Sequence, residues 1–125
     1  MALNRTRLKP TPFKGKKHTR TKATDIPQSV KDEVFERDGH RCVWCGSLRG
    51  MPEAHYIPRT KGGLGIPQNI LTLCRVGLDG QLSCHDEYDK GAKGQREIMT
   101  SFFRNYLMTY YADWEWSEDK LIYKK

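Results

Sequence analysis

Glu53-Ala54-His55-Tyr56-Ile57-Pro58 and Gln68-Asn69-Ile70-Leu71-Thr72-Leu73-Cys74 are the stretches on which the fold turns. They read as two short strands, Ala54 to Ile57 and Ile70 to Leu73, around the glycine-rich loop Thr60-Lys61-Gly62-Gly63-Leu64-Gly65. Four cysteines surround them. Cys42-Val43-Trp44-Cys45-Gly46 is a tight CxxC turn closed by glycine, and Cys74 and Cys84 follow on the far side of the strand pair. One CxxC in isolation is also compatible with a redox pair or with chance spacing. With the second pair, four soft thiolates suit a tetrahedral zinc ion closed from two separate parts of the chain, which would couple metal binding to folding. Nine residues, Arg75 to Ser83, separate Cys74 from Cys84, and Gly77 and Gly80 allow them to loop out.

Outward from this centre the pattern is helical. Pro27 suits a first turn, Val30, Val34 and Phe35 share a face, and Gly39 can supply the left-handed stop, so a helix is expected over Pro27 to Asp38. A helix should begin at Cys84, carrying His85 and Asp89 four residues apart on one face. A longer one, over residues 95–112, has Ile98, Met99, Phe102, Phe103, Tyr106, Leu107, Tyr110 and Tyr111 as a wide apolar stripe and therefore as core. Asp38, Asp86 and Glu87 read as cap and surface residues. The closing segment from Trp114 to Tyr123 reads as a turn with a short strand or irregular structure.

At 125 residues and 37% hydrophobic content the chain fits one small α+β domain, and a domain of that size benefits from a staple. No apolar run approaches membrane-spanning length, and Met-Ala-Leu-Asn-Arg lacks the apolar centre of a signal peptide. A cytoplasmic protein with reduced cysteines is expected, and no membrane partner. The net charge of +7 is concentrated in residues 1–24, where Arg5, Arg7, Lys9, Lys14, Lys16, Lys17, Arg20 and Lys22 occur with no acid. The rest of the chain holds 14 basic and 15 acidic side chains, a net of −1. Residues 1–24 are therefore expected to be an extended or disordered basic arm that binds nucleic acid through phosphate, with 25–125 as the folded domain.

His55, at the end of a strand beside a glycine loop, is a candidate general base, because a neutral imidazole accepts a proton near neutral pH. Together, Arg37-Asp38-Gly39-His40-Arg41-Cys42-Val43-Trp44-Cys45-Gly46, Ala54-His55-Tyr56-Ile57-Pro58-Arg59-Thr60-Lys61-Gly62-Gly63, Gln68-Asn69-Ile70-Leu71-Thr72-Leu73-Cys74 and Cys84-His85 resemble the HNH endonuclease family, the zinc-containing branch of the ββα-metal nucleases. Phage-encoded members are the most similar in wording, and the match spans residues 27 to 90.

The resemblance implies a ββα-metal core over residues 53–90 and a metal-dependent DNA endonuclease that nicks phosphodiester bonds during phage genome processing. His55 would be the base, Asn69 would hold the loop and orient that base, and His85 would bind a catalytic Mg²⁺ or Mn²⁺, with Ni²⁺, Co²⁺ or Zn²⁺ as substitutes. Many members carry Asp or His directly before the base. Here that position is Ala54, so Glu53 or Asp89 would complete the metal site, Glu53 because alternate strand residues share a face. Arg59 and Lys61 would join the basic arm in contacting DNA, and a packaging terminase would be a partner by analogy. Ala54 also supports a second reading, a catalytically inactive, zinc-stapled DNA-binding or recombination accessory protein.

Overall fold

The computed structural model describes residues 19–77 and 81–124. Its elements run in the order α1 (Thr19–Thr24), α2 (Gln28–Arg37), β1 (Gly50–His55), β2 (Ile70–Cys74), α3 (Cys84–Lys90) and α4 (Lys93–Tyr110), an α+β arrangement. The two strands form one antiparallel sheet, with Gly50 opposite Cys74, Met51 opposite Leu73, Ala54 opposite Leu71 and His55 opposite Ile70. Three steps on β1 between Met51 and Ala54 match two on β2, so β1 carries a bulge at Pro52 and Glu53. Proline has no amide hydrogen for the ladder, and a bulge accommodates it by releasing that position from pairing. The strand therefore starts four residues earlier than the sequence reading placed it.

All five residues of β2 are buried, because α2 packs on both strands while α3 packs on β2 and on α4. The turn carrying Cys42 lies directly on β1. A Cβ at Gly50 would meet the Cys42 amide nitrogen at 2.7 Å and the Thr72 methyl at 2.6 Å, so only glycine permits that approach.

The stripe on α4 is narrower than its sequence suggests. Met99, Phe103 and Leu107, four residues apart, are fully buried against β2, Tyr88, Trp116 and Leu121. Ile98, Phe102 and Tyr110 are exposed, since one face of a helix against a small sheet admits fewer rows than periodicity alone counts. The C-terminal segment folds as short 3-10 turns clamped to the glycine loop. Leu64 N–H donates to the Leu121 carbonyl at 2.8 Å, Tyr123 N–H to Gly62 at 2.7 Å, and the Trp116 indole to Gln68 at 2.8 Å.

Asp38 is the C-cap of α2, as expected of a cap residue, but it is not a surface residue. Its side chain is fully buried and bidentate with Arg37, at 2.7 and 3.0 Å. The carboxylate also accepts from the Thr72 amide at 3.0 Å and from the Tyr106 hydroxyl. Arg37 donates to the carbonyls of Pro67 and Ile70 and to the Tyr111 hydroxyl, and its protonated form is strengthened by Asp38 against the opposing effect of burial. Helix, sheet and α4 are thus tied by one buried ion pair, a type of contact whose breakage typically costs about 3–5 kcal/mol.

The basic arm behaves as two parts. Arg5, Arg7, Lys9, Lys14, Lys16 and Lys17 lie outside the described residues. Thr19–Thr24 is a helix and not an extended segment, and its buried end packs on the folded domain. Gly65 N–H donates to the Ala23 carbonyl at 3.1 Å, which fixes α1 beside the glycine loop. No helix among the described residues is long and apolar enough to cross a membrane.

Candidate metal centre and adjoining cleft

The four cysteines arrive from three elements. Cys42 and Cys45 sit on a turn in which Cys42 N–H donates to Ser47, Gly46 N–H donates to the Cys42 carbonyl, and Gly46 takes a φ of +78° that favours glycine. Val43 N–H donates to the Thr72 carbonyl at 2.8 Å, anchoring the turn to β2. Cys74 ends β2. Cys84 opens α3, whose Ser83 cap accepts from the Asp86 amide at 3.1 Å. Gly77 and Gln81 approach closely, a Cβ at Gly77 standing 1.9 Å from the Gln81 carbonyl oxygen, so the long spacing still delivers Cys84 to Cys74.

All four sulfurs lie within 4.8 Å of one another, and Cys45 and Cys74 Sγ are 3.9 Å apart. A tetrahedral ion with metal–sulfur bonds of about 2.3 Å places its sulfurs about 3.8 Å apart, so the cage fits one metal ion. Two amides already point at sulfur, from Cys45 to Cys42 Sγ at 3.4 Å and from Cys84 to Cys74 Sγ at 3.3 Å. Burial raises the Cys42 thiol pKa, but neighbouring amides outweigh it and favour the thiolate there. Burial and the adjoining thiols push Cys84 upward, a repulsion among sulfurs that a cation relieves. Cys42, Cys74 and Cys84 are buried, while Cys45 is exposed.

Beyond Cys84 the same helix enters a cleft of ≈ 590 Å³ that brings together Glu53, His55, Arg59, His85 and Asp89. His55 Nε2 donates to the Thr24 carbonyl at 2.9 Å, and this contact with α1 had no signal in the sequence. Burial lowers the His55 pKa, Arg59 and His85 adding to the effect against the Thr24 hydrogen bond. His85 is likewise lowered, by burial and by Arg75, and its buried Nδ1 has no hydrogen-bond partner among the described residues. Both shifts favour the neutral imidazole.

The other expected cleft residues divide. Asn69 is not in the cleft. Its buried amide accepts from Ile57 N–H at 2.9 Å and donates to the Ile57 and Leu64 carbonyls at 3.2 and 2.8 Å, closing the loop between the strands. Lys61 and Lys22 are exposed, and Arg59 pairs with Asp25. Glu53 is held by Lys31 at 3.5 Å and Arg75 at 3.3 Å, and Asp89 is exposed. Among the described residues, the four cysteines are the one group of three or more potential ligands gathered closely enough for a metal. His85, Asp89 and Glu53 do not converge in this way.

Over 65 residues the chain is 29% identical to Anaredoxin of Nostoc sp., the matched stretch covering 51% of this chain and 76% of that protein. No protein-family model and no solved structure matches the chain. The similarity is to a protein named as a redoxin, and it corrects the functional reading made from the sequence. The DNA endonuclease, the hydrolase class and the nuclease and DNA-binding roles are overturned by that similarity, as is the inactive DNA-binding alternative. Histidine and asparagine spacing had carried that reading, whereas the ligand set that the fold closes is the all-sulfur one.

Proposed function

We propose that this chain is a metal-thiolate redox protein that holds a single iron ion on Cys42, Cys45, Cys74 and Cys84 and carries one electron. The observation that carries the reading is the cage, four sulfurs within 4.8 Å with one of them, Cys45, at the surface. Soft tetrahedral thiolate sets take iron or zinc, and the likeness to a redoxin favours iron. Bound iron would supply a ferric/ferrous couple at which one electron is taken up and passed on.

The chain's own residues do the rest. Burial of three sulfurs keeps water from the ligands, and the amides of Cys45 and Cys84 place hydrogen-bond donors on sulfur, a lever on potential. Gly50 lets the CxxC turn rest on the sheet, and Cys74 and Cys84 anchor the other half of the cage in β2 and α3. The antiparallel pair followed by a helix supports, in architecture alone, the resemblance to ββα-metal proteins.

The test is to purify the protein anaerobically and measure its metal content and visible spectrum. Iron with the thiolate-to-ferric absorption bands, bleached by dithionite and restored by air, is the expected result. A colourless protein with stoichiometric zinc would make the cage a structural staple and overturn the carrier reading.

A further inference from the structure

Half of the large apolar side chains exposed among the described residues are near neighbours of the cage cysteines in the sequence or across the strand pair. Leu48, Val76 and Leu82, exposed by 72%, 63% and 56%, lie within three residues of Cys45, Cys74 and Cys84 respectively. Met51 is paired with Leu73, next to Cys74. Trp44, inside the CxxC turn, meets Phe102 of α4 with ring centroids 5.3 Å apart. Isolated exposed leucines need no explanation, but several grouped beside one exposed ligand mark a contact surface.

Among the described residues, the exposed charge at this face is cationic. Arg41 and Arg49 are exposed, and their side chains donate to the Gly46 and Val76 carbonyls at 3.1 and 3.4 Å, which holds both on the loops that carry the cage. His40 to Pro52 contains no carboxylate. Asp86 and Glu87 are half-buried on the first turn of α3.

We infer that this face is the electron port, and that it docks a one-electron carrier protein presenting an apolar centre rimmed by carboxylates. The inference rests on the carrier reading above. One electron leaves the partner's reduced centre and enters through the Cys45 edge, converting ferric to ferrous with no bond made or broken. Electron-transfer encounters need only a small interface, and opposite rim charges speed them without requiring high affinity.

The experiment reduces the iron-loaded protein and follows its oxidation in stopped flow by anionic ferricyanide and by cationic tris(phenanthroline)cobalt(III). The ferricyanide rate should fall as salt rises, and Arg41→Glu with Arg49→Glu should slow it roughly tenfold while leaving the spectrum unchanged. Lys124→Glu, on the C-terminal segment, should have no effect. A second readout is independent of the metal: iodide should quench Trp44 fluorescence better than caesium does, judged against Trp44→Phe, and the double charge reversal should invert that order.

Redox-active protein with equal, salt-insensitive rates for both oxidants and no response to charge reversal would overturn the inference alone. A stable dimer disrupted by Leu48→Asp would assign the face to a second copy and also overturn it. Redox-silent protein would overturn the carrier reading itself.

Discussion

The cage and the cleft share one junction, Cys84-His85, yet they differ in what their polar groups are doing. At the cage four sulfurs converge on one another, and their neighbours are amides that favour a thiolate. In the cleft most polar groups already have partners, Glu53 with Lys31 and Arg75, Arg59 with Asp25, and the His55 imidazole with the Thr24 carbonyl, and the buried Nδ1 of His85 is a single exception. The lesson is that gathering residues of the right type is not enough. A ligand site needs several groups whose demand converges on one point, and among the described residues that is found in the sulfur cage.

The largest test of this contrast is removal of the metal. Chelation, or Cys74→Ser, should unfold much of the domain, because structural metal binding in small thiolate sites is worth on the order of 10 kcal/mol and would be folding energy at this cage. Far-ultraviolet circular dichroism with metal analysis reads the result, and full retention of structure by the metal-free protein would separate the cage from folding. The corresponding change in the cleft, Glu53→Gln, should leave metal content untouched.

Next in size is the buried pair. Asp38→Ala strands Arg37, whose side chain is only 2% exposed, and should cost about 3–5 kcal/mol in urea unfolding. Replacing a surface ion pair would give far less, so a loss below 1 kcal/mol would show that Arg37 reaches water in the variant.

A smaller effect should come from protons in the cleft. The pKa values of His55 and His85 are lowered by burial, so the folded state favours their neutral forms. Their contribution is complete above the ordinary histidine pKa of about 6.5 and is lost as pH falls below it through the folded values. Urea midpoints should therefore drop between pH 7.5 and pH 5, and the slope should shrink in His55→Gln and His85→Gln. An unchanged slope would assign the acid sensitivity to other groups. The least change is expected for stability in Glu53→Gln, about 0–1 kcal/mol, since its ion pairs are partly exposed.

Much of the cage was legible because covalent spacing constrains it. CxxC followed by glycine specifies a turn, and Cys74 at the end of an apolar run and Cys84 at a helix start could be placed on their elements from the sequence. The strand pair and the three longer helices follow from the same local patterns, with errors at their ends. The bulge at Pro52 and Glu53 was less accessible, because pairing register depends on the partner strand. Asp38 could be placed at its helix end but not in the core, because a carboxylate there is ordinarily solvated, and only the tertiary approach of Arg37, Thr72 and Tyr106 makes burial favourable. Half of the α4 aromatics are exposed because periodicity gives the orientation of a stripe but not the width of what covers it. The cleft misled most: His55, Asn69 and His85 gave a pattern of residue types, while the ion pairs that engage their neighbours arise from residues as distant in sequence as Lys31 and Arg75.

The most direct test of the central claim is a potentiometric titration of the purified protein followed by electron paramagnetic resonance. A high-spin ferric signal that disappears and returns with a one-electron Nernst slope, and is lost in Cys45→Ser, is the expected result. A cage that holds zinc and shows no signal or reversible wave at any potential would contradict the account.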